Sequence, residues 1–411
     1  EPHRGTRRTF ANSNLTYDAI PEALRRASGF ADSPVNTFNE KDKFTRLNLN
    51  ADMTTYRRWK GEHAFKFGVQ YERLGNSVNI GQQYANISIN WDRSFQPAAG
   101  GPPQRGTYGY YTVSRSYTAG DVTSHNVGLF VQDQWSVNNR LTFNYGLRAD
   151  RTYIPSYRPE NPSLEFTFGE KIAPRVGFAF DMLGDARWKM YGSWGIFYDI
   201  EKLEMPRGLW GADHWVQYTY TLDTFDWPNL DCADVNGETG CPGRLIERLD
   251  RRHVSNDIAN MLVDPNLKPM KAQEATIGID HELTQYSSVG VRYTHKWLNR
   301  AIEDVGVLDP LIGAEIFYIA NPGDGISEYP LGREYPPTPK AKRVYDGIDI
   351  SYNRRLHNNW SLNTSVLFSR LWGNYTGLSN GQSESGRQAP NVTRAFDGLF
   401  MSYDSKGRPT Y

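Results

Sequence analysis

The chain has 411 residues, with 46 Lys plus Arg balanced by 46 Asp plus Glu, so it carries no bulk charge that would draw it to nucleic acid. Only 38% of residues are hydrophobic and mean hydropathy is −0.64, yet 13% are aromatic. That combination is unusual for a packed soluble core, and no stretch nears the roughly 18 apolar residues of a membrane helix.

Five pairs of alternating segments run along the chain, each joined by a very short turn. The first pair has Leu47, Leu49, Ala51 and Met53 on one face, a turn at 57–62, then Phe65, Phe67, Val69 and Tyr71. The second runs from Val127 to Trp135, turns at 136–140, and returns through Leu141, Phe143, Tyr145 and Leu147. The third has Val176, Phe178 and Phe180, a turn at 182–187, then Trp188, Met190, Trp194, Ile196 and Tyr198. Ala275, Ile277, Ile279 and Leu283 with Val289, Val291, Tyr293 and Trp297 make the fourth, turning at 284–287. The fifth sets Ile348, Ile350 and Tyr352 against Trp360, Leu362, Val366, Phe368 and Trp372, with a turn at 357–359. Period-two patterning of this kind predicts antiparallel hairpins with one apolar and one polar face.

The connections between pairs, at 75–124, 154–171, 199–271 and 299–343, are long and rich in Gly, Pro, Asn and Tyr. Loops of this length are uncommon in compact soluble domains. Strict alternation of short and long connections puts all turns on one side of a sheet and all loops on the other, as in outer-membrane barrels. Aromatics on the apolar face agree. Trp135, Trp188 and Trp360 sit beside the turns, and Tyr153, Tyr198, Trp297 and Trp372 near the loops. Two belts spaced by one membrane-spanning strand suit rings that prefer the headgroup region. Asp133, His281, Asp346, Arg354 and Arg370 share the apolar face but fall near strand ends, where a charge is tolerated. The opposite face carries Arg148, Asp150, Arg175, Lys189, Arg292, Lys296, Asp349 and Arg355, a set that a soluble core could not accept unpaired.

The predicted fold is therefore all-β: an antiparallel transmembrane β-barrel segment of about ten strands with long extracellular loops. Residues 44–372 form the partial barrel, flanked by loop segments 1–43 and 373–411.

The segments Asn126–Trp135 with Leu141–Asp150, Ala173–Phe180 with Tyr191–Tyr198, Leu267–Glu274 and Tyr345–Tyr352 resemble the barrel of TonB-dependent outer-membrane receptors, in particular the Oar-like subfamily. The resemblance covers about residues 15–405. It implies a large plugged barrel, a bacterial outer-membrane location, a scarce extracellular ligand, and a plug domain and TonB complex as partners alongside membrane lipid and lipopolysaccharide. No plug, TonB-contacting segment or closing strand can be read in this sequence, so the chain reads as the middle of a barrel. A passive porin or adhesive barrel is the alternative; a soluble carbohydrate-binding β-protein is a further one.

No catalytic constellation is present, and the chain is not expected to be an enzyme. Cys232 and Cys241 lie close together in a polar loop, which points to a disulfide and an oxidising compartment, with two free thiols as the alternative. Asp231, Asp234, Asn236 and Glu238 crowd that loop around Gly237, a weak signature for structural Ca²⁺ beside the simpler reading of a solvated turn. Ligand-facing candidates are the loop aromatics Tyr108, Tyr110, Trp210, Trp215, Tyr218 and Trp227, which could equally pack the loops together. A short helical piece is expected near 244–260.

Overall fold

The computed structural model describes residues 6–97, 100–158, 163–199, 203, 206–207, 212–250, 263–264, 266–309, 314–323, 340–375, 402–403 and 409–410. In chain order the strands are β1 (Arg7–Asn12), β2 (Thr37–Arg58), β3 (Glu62–Gln82), β4 (Asn86–Trp91), β5 (Gly109–Ser136), β6 (Leu141–Ile154) and β7 (Leu164–Phe166). Then come β8 (Ile172–Asp181), β9 (Trp188–Tyr198), β10 (Asp213–Leu222), β11 (Leu245–Asp250), β12 (Lys271–Thr284) and β13 (Ser287–Arg300). The last are β14 (Glu303–Asp309), β15 (Ala314–Ala320), β16 (Arg343–His357), β17 (Trp360–Gly373), β18 (Ser402–Tyr403) and β19 (Pro409–Thr410).

Ten of these strands make a continuous antiparallel wall in the order β2-β3-β5-β6-β8-β9-β12-β13-β16-β17. The wall is not closed: among the described residues β2 and β17 each have one strand neighbour.

All five short turns join neighbouring wall strands at one rim, and their chemistry explains why they are short. Asn358 and Asn359 both take positive φ (54° and 64°), the conformation of a two-residue hairpin turn that matches strand twist. At Gly61 (φ 126°) an added Cβ would sit 2.5 Å from the Ser136 carbonyl oxygen, so only glycine fits. Asn138 Oδ1 accepts the N–H groups of Arg140 and Leu141, and Asp181 accepts those of Gly184 and Ala186.

Register fixes the two faces. Val69, Leu129 and Ala149 form one row across β3, β5 and β6, and Ile277, Val291 and Ile350 lie in neighbouring rows further along. This apolar stripe is open: Val131 is 52% exposed, Ile277 51% and Phe368 63%. An uncovered apolar surface across ten strands far exceeds what a soluble monomer shows. The solvent it meets is hydrocarbon.

Three expectations need correction. Residues 1–43 are not one loop, because Arg7–Asn12 form β1 and β2 already begins at Thr37. Nor is 75–124 an irregular connection: β3 runs on to Gln82, β4 follows, and β5 starts at Gly109. These strands continue past the apolar belt, where water on at least one side removes the strict apolar alternation that marks a membrane strand. The stretch expected to be helical is extended over Leu245–Asp250, which pairs with β10; residues 251–260 lie outside the described ones. Among the described residues, 3₁₀ turns occupy Glu22–Leu24 and Trp227–Asn229.

Candidate functional site

Above the wall, the far half of β5 carries a branch of the same sheet. Gly109–Ser114 pairs with β4 on one side, and Gly109–Thr118 pairs with β10 on the other. β1 adds in parallel to β4, and β11 adds to β10. One face of this five-stranded cap packs Phe10, Ile87, Ile89, Trp91, Tyr111, Val113, Val216 and Leu222 into a core. Each such side chain contributes roughly 1.5–3 kcal/mol by leaving water, which is why the long connections fold rather than wander.

Several ligand-facing candidates turn out to belong to that core. Tyr218 is buried beside Val216 and Tyr220, and Trp227 is buried with its ring edge-on to Phe10 at 5.2 Å and its Nε1 donating to the Leu24 carbonyl (2.9 Å). Both are packed into the cap core. Tyr108 (against Phe225), Tyr110 (against Phe95) and Trp215 remain partly exposed; Trp210 lies outside the described residues. The missed signal was in the sequence: Ile87-Ser-Ile89-Asn-Trp91 and Val216-Gln-Tyr218-Thr-Tyr220-Thr-Leu222 alternate as clearly as any wall strand.

Cys232 and Cys241 are bonded, and Cys232 is part of the cap core. The acidic residues around them are spoken for. Asp231 Oδ1 accepts from Thr6 Oγ1 (3.0 Å) and from the Cys232 N–H. Asp234 Oδ2 accepts the N–H groups of Asn236 and Glu238, both at 3.0 Å. Arg115 donates to Asn236 Oδ1 (2.7 Å), and Arg248 pairs with Glu238 (3.0 Å). Two guanidinium groups thus already engage Asn236 and Glu238.

Two carboxylates bind the 92–108 connection into the cap. Asp223 Oδ1 accepts the Thr107 N–H (2.8 Å), and together with the Thr221 hydroxyl this holds its carboxyl below the usual carboxylate range. The Arg105 guanidinium, 2.9 Å from Asp92 Oδ1, does the same for Asp92, helped by Asn14.

On the wall, every charge expected on the apolar face has a partner. Asp133 lies 2.7 Å from His63 Nδ1 and accepts from Tyr145 Oη (2.7 Å). Asp346 accepts from Tyr293 Oη (2.6 Å) and lies 2.8 Å from His295 Nδ1. His281 stacks on Trp188 at 3.7 Å, the Arg354 guanidinium lies 4.0 Å from the Trp360 ring centre, and that of Arg370 lies 5.9 Å from Trp372. On the polar face, Arg148 grips Asp150 through two bonds, Lys296 pairs with Glu274 (2.8 Å), and Arg292 with Asp349 (2.9 Å). One face is a lipid surface whose few charged groups meet a carboxylate, a phenol or an aromatic ring; the other is a charged lining.

That two-sided wall agrees with sequence comparison. The outer membrane beta barrel domain family matches residues 5–171 and 163–404. The chain belongs to this family, and its place is the bacterial outer membrane. It is 26% identical over 415 residues to the TonB-dependent transporter Oar of Myxococcus xanthus, an alignment covering 93% of this chain and 37% of that protein. This barrel wall thus spans little more than a third of the relative's length. Among solved structures it is similar to the outer membrane transporter YddB of Escherichia coli (TM-score 0.45, 13% identity, 90% of this chain and 38% of that one). It is also similar to the ferripyoverdine receptor of Pseudomonas aeruginosa (TM-score 0.43, 13% identity, 83% and 35%).

Proposed function

We propose that this chain supplies the wall and cap of a TonB-dependent transporter, the activity for which its Myxococcus relative is named. The observation that carries the reading is the wall's asymmetry: an exposed apolar stripe behind a polar face of paired charges. Lipid, including lipopolysaccharide at the outer boundary, meets the stripe. The polar face lines a lumen that a plug domain fills, and the TonB complex supplies the energy. The short turns face the periplasm and the cap faces outward. An extracellular ligand first meets the cap, where Tyr108, Tyr110 and Trp215 keep exposed ring surface. No bond-making chemistry is assigned to the chain.

Conductance of the full-length protein in planar bilayers tests this. A plugged transporter stays nearly silent until urea loosens the polypeptide within it. Large, immediate conductance steps would instead identify a porin and end the transporter reading.

A further inference from the structure

On the polar face, Arg175 of β8 stands between two glycines. Its partner across β6 is Gly146, and its partner across β9 is Gly195. Neither neighbour raises a side chain beside it. The result is a cavity of about 590 Å³, bordered also by Gln132, Asn144, Ser193 and Phe197. The Arg175 guanidinium lies over the Phe197 ring, 4.6 Å from its centre.

The other charges at this cavity are already matched. Arg148 holds both Asp150 oxygens and also donates to Gln70 Oε1 (2.9 Å), while Glu274 is paired with Lys296. Arg175 has no ion-pair or hydrogen-bond partner among the described residues. The cavity therefore holds a guanidinium with no directly bonded partner among the described residues, a planar donor fork suited to two parallel bonds, an aromatic wall, and amide and hydroxyl groups at its border.

We infer that this cavity is a carboxylate-binding site. Arg175 takes the anionic group through its fork, Asn144 offers a further donor, and Phe197 contacts the body of the ligand. The carboxylate comes either from a solute in the lumen or from an acidic side chain of polypeptide inside the barrel. This inference rests on the wall's polar face and not on energised uptake, so it survives if the protein proves to be a porin.

The test uses full-length protein in detergent, with benzoate as the probe, and compares wild type, Arg175→Gln, Arg175→Lys and the rim control Arg57→Gln. If the site is open to solutes, calorimetry shows benzoate binding that Arg175→Gln weakens by about tenfold or more, as loss of a charge-assisted pair should, and that Arg57→Gln leaves alone. If an internal acidic side chain occupies the site, wild type binds no benzoate. Arg175→Gln then lowers the melting temperature, Arg175→Lys recovers part of the loss, and high salt narrows the gap. Benzoate binding that persists in Arg175→Gln overturns the inference, as does the absence of both benzoate binding and any melting difference.

Discussion

His63 Nδ1 lies 2.7 Å from Asp133 Oδ2, on the face of the wall that meets lipid. The pair is enclosed rather than exposed. The imidazole stacks on Phe65 (5.3 Å) and Trp135 (5.5 Å), its Nε2 lies 3.0 Å from the Trp59 carbonyl oxygen, and Tyr145 Oη donates to the same carboxylate oxygen, Asp133 Oδ2. Taking away one partner leaves the other without compensation, whereas replacing both by apolar groups does not. His63→Phe alone should lower the melting temperature in detergent, and His63→Phe with Asp133→Leu should recover much of the loss. A double variant no more stable than the single would show that the pair is not coupled.

Leu129 sits mid-stripe, opposite Val69 and Ala149. Leu129→Arg should cost about 2–4 kcal/mol of folding stability in lipid vesicles, the range for a cation at the midplane. Gln132→Arg, on the polar face, should cost far less. Equal costs in denaturant titrations would mean that the stripe does not face lipid.

The disulfide closes a loop with a sequence separation of nine and anchors Cys232 in the cap core. Replacing both cysteines by serine should remove about 2–3 kcal/mol from the cap by the loop-closure argument. Hydrogen exchange should then rise across β10 and β11 while the wall strands keep their protection. Uniform loosening of wall and cap would contradict this separation.

Acid should loosen the cap before the wall. Asp223 and Asp92 have folded-state pKa values below their unfolded ones, so their contribution is complete above about pH 4 and is lost as pH falls through the lower folded values. Proteolysis within 92–108, weak at pH 7, should accelerate near pH 3. Asp223→Asn should show a smaller change over the same range. Flat cleavage in wild type across this window would remove the argument.

Calcium should do little to the acidic loop. Arg115 and Arg248 already engage Asn236 and Glu238, and Asp234 caps its own turn. Millimolar calcium should leave cap melting unchanged; a clear upward shift would show that the loop rearranges around the ion.

The wall was readable because membrane strands obey a harsh rule. A polar atom facing hydrocarbon is costly, so Leu129, Val131, Leu147 and Val176 leave a clean two-residue rhythm. The cap obeys a softer one. β4 and β10 set apolar residues on one face and polar ones such as Asn90, Thr219 and Thr221, themselves buried, on the other, in short runs, and their partners come from distant segments such as Phe10. Tyr218 and Trp227 therefore looked like surface aromatics. His63 hid for another reason: it follows a turn, and only the register with β5 brings it to Asp133.

Strand β5 ends up in both structures at once. Its Asn126–Ser136 half is woven between β3 and β6, its Gly109–Ser114 end between β4 and β10, and among the described residues the stretch 119–125 pairs with a strand on the β3 side alone, with one backbone bond from Ala119 to Ala212 on the other. The outer ornament is thus not a detachable accessory hung from the barrel by loops. Anyone wishing to exchange it for that of another barrel would have to splice inside a strand, and 119–125 is the seam where the fewest stitches need cutting.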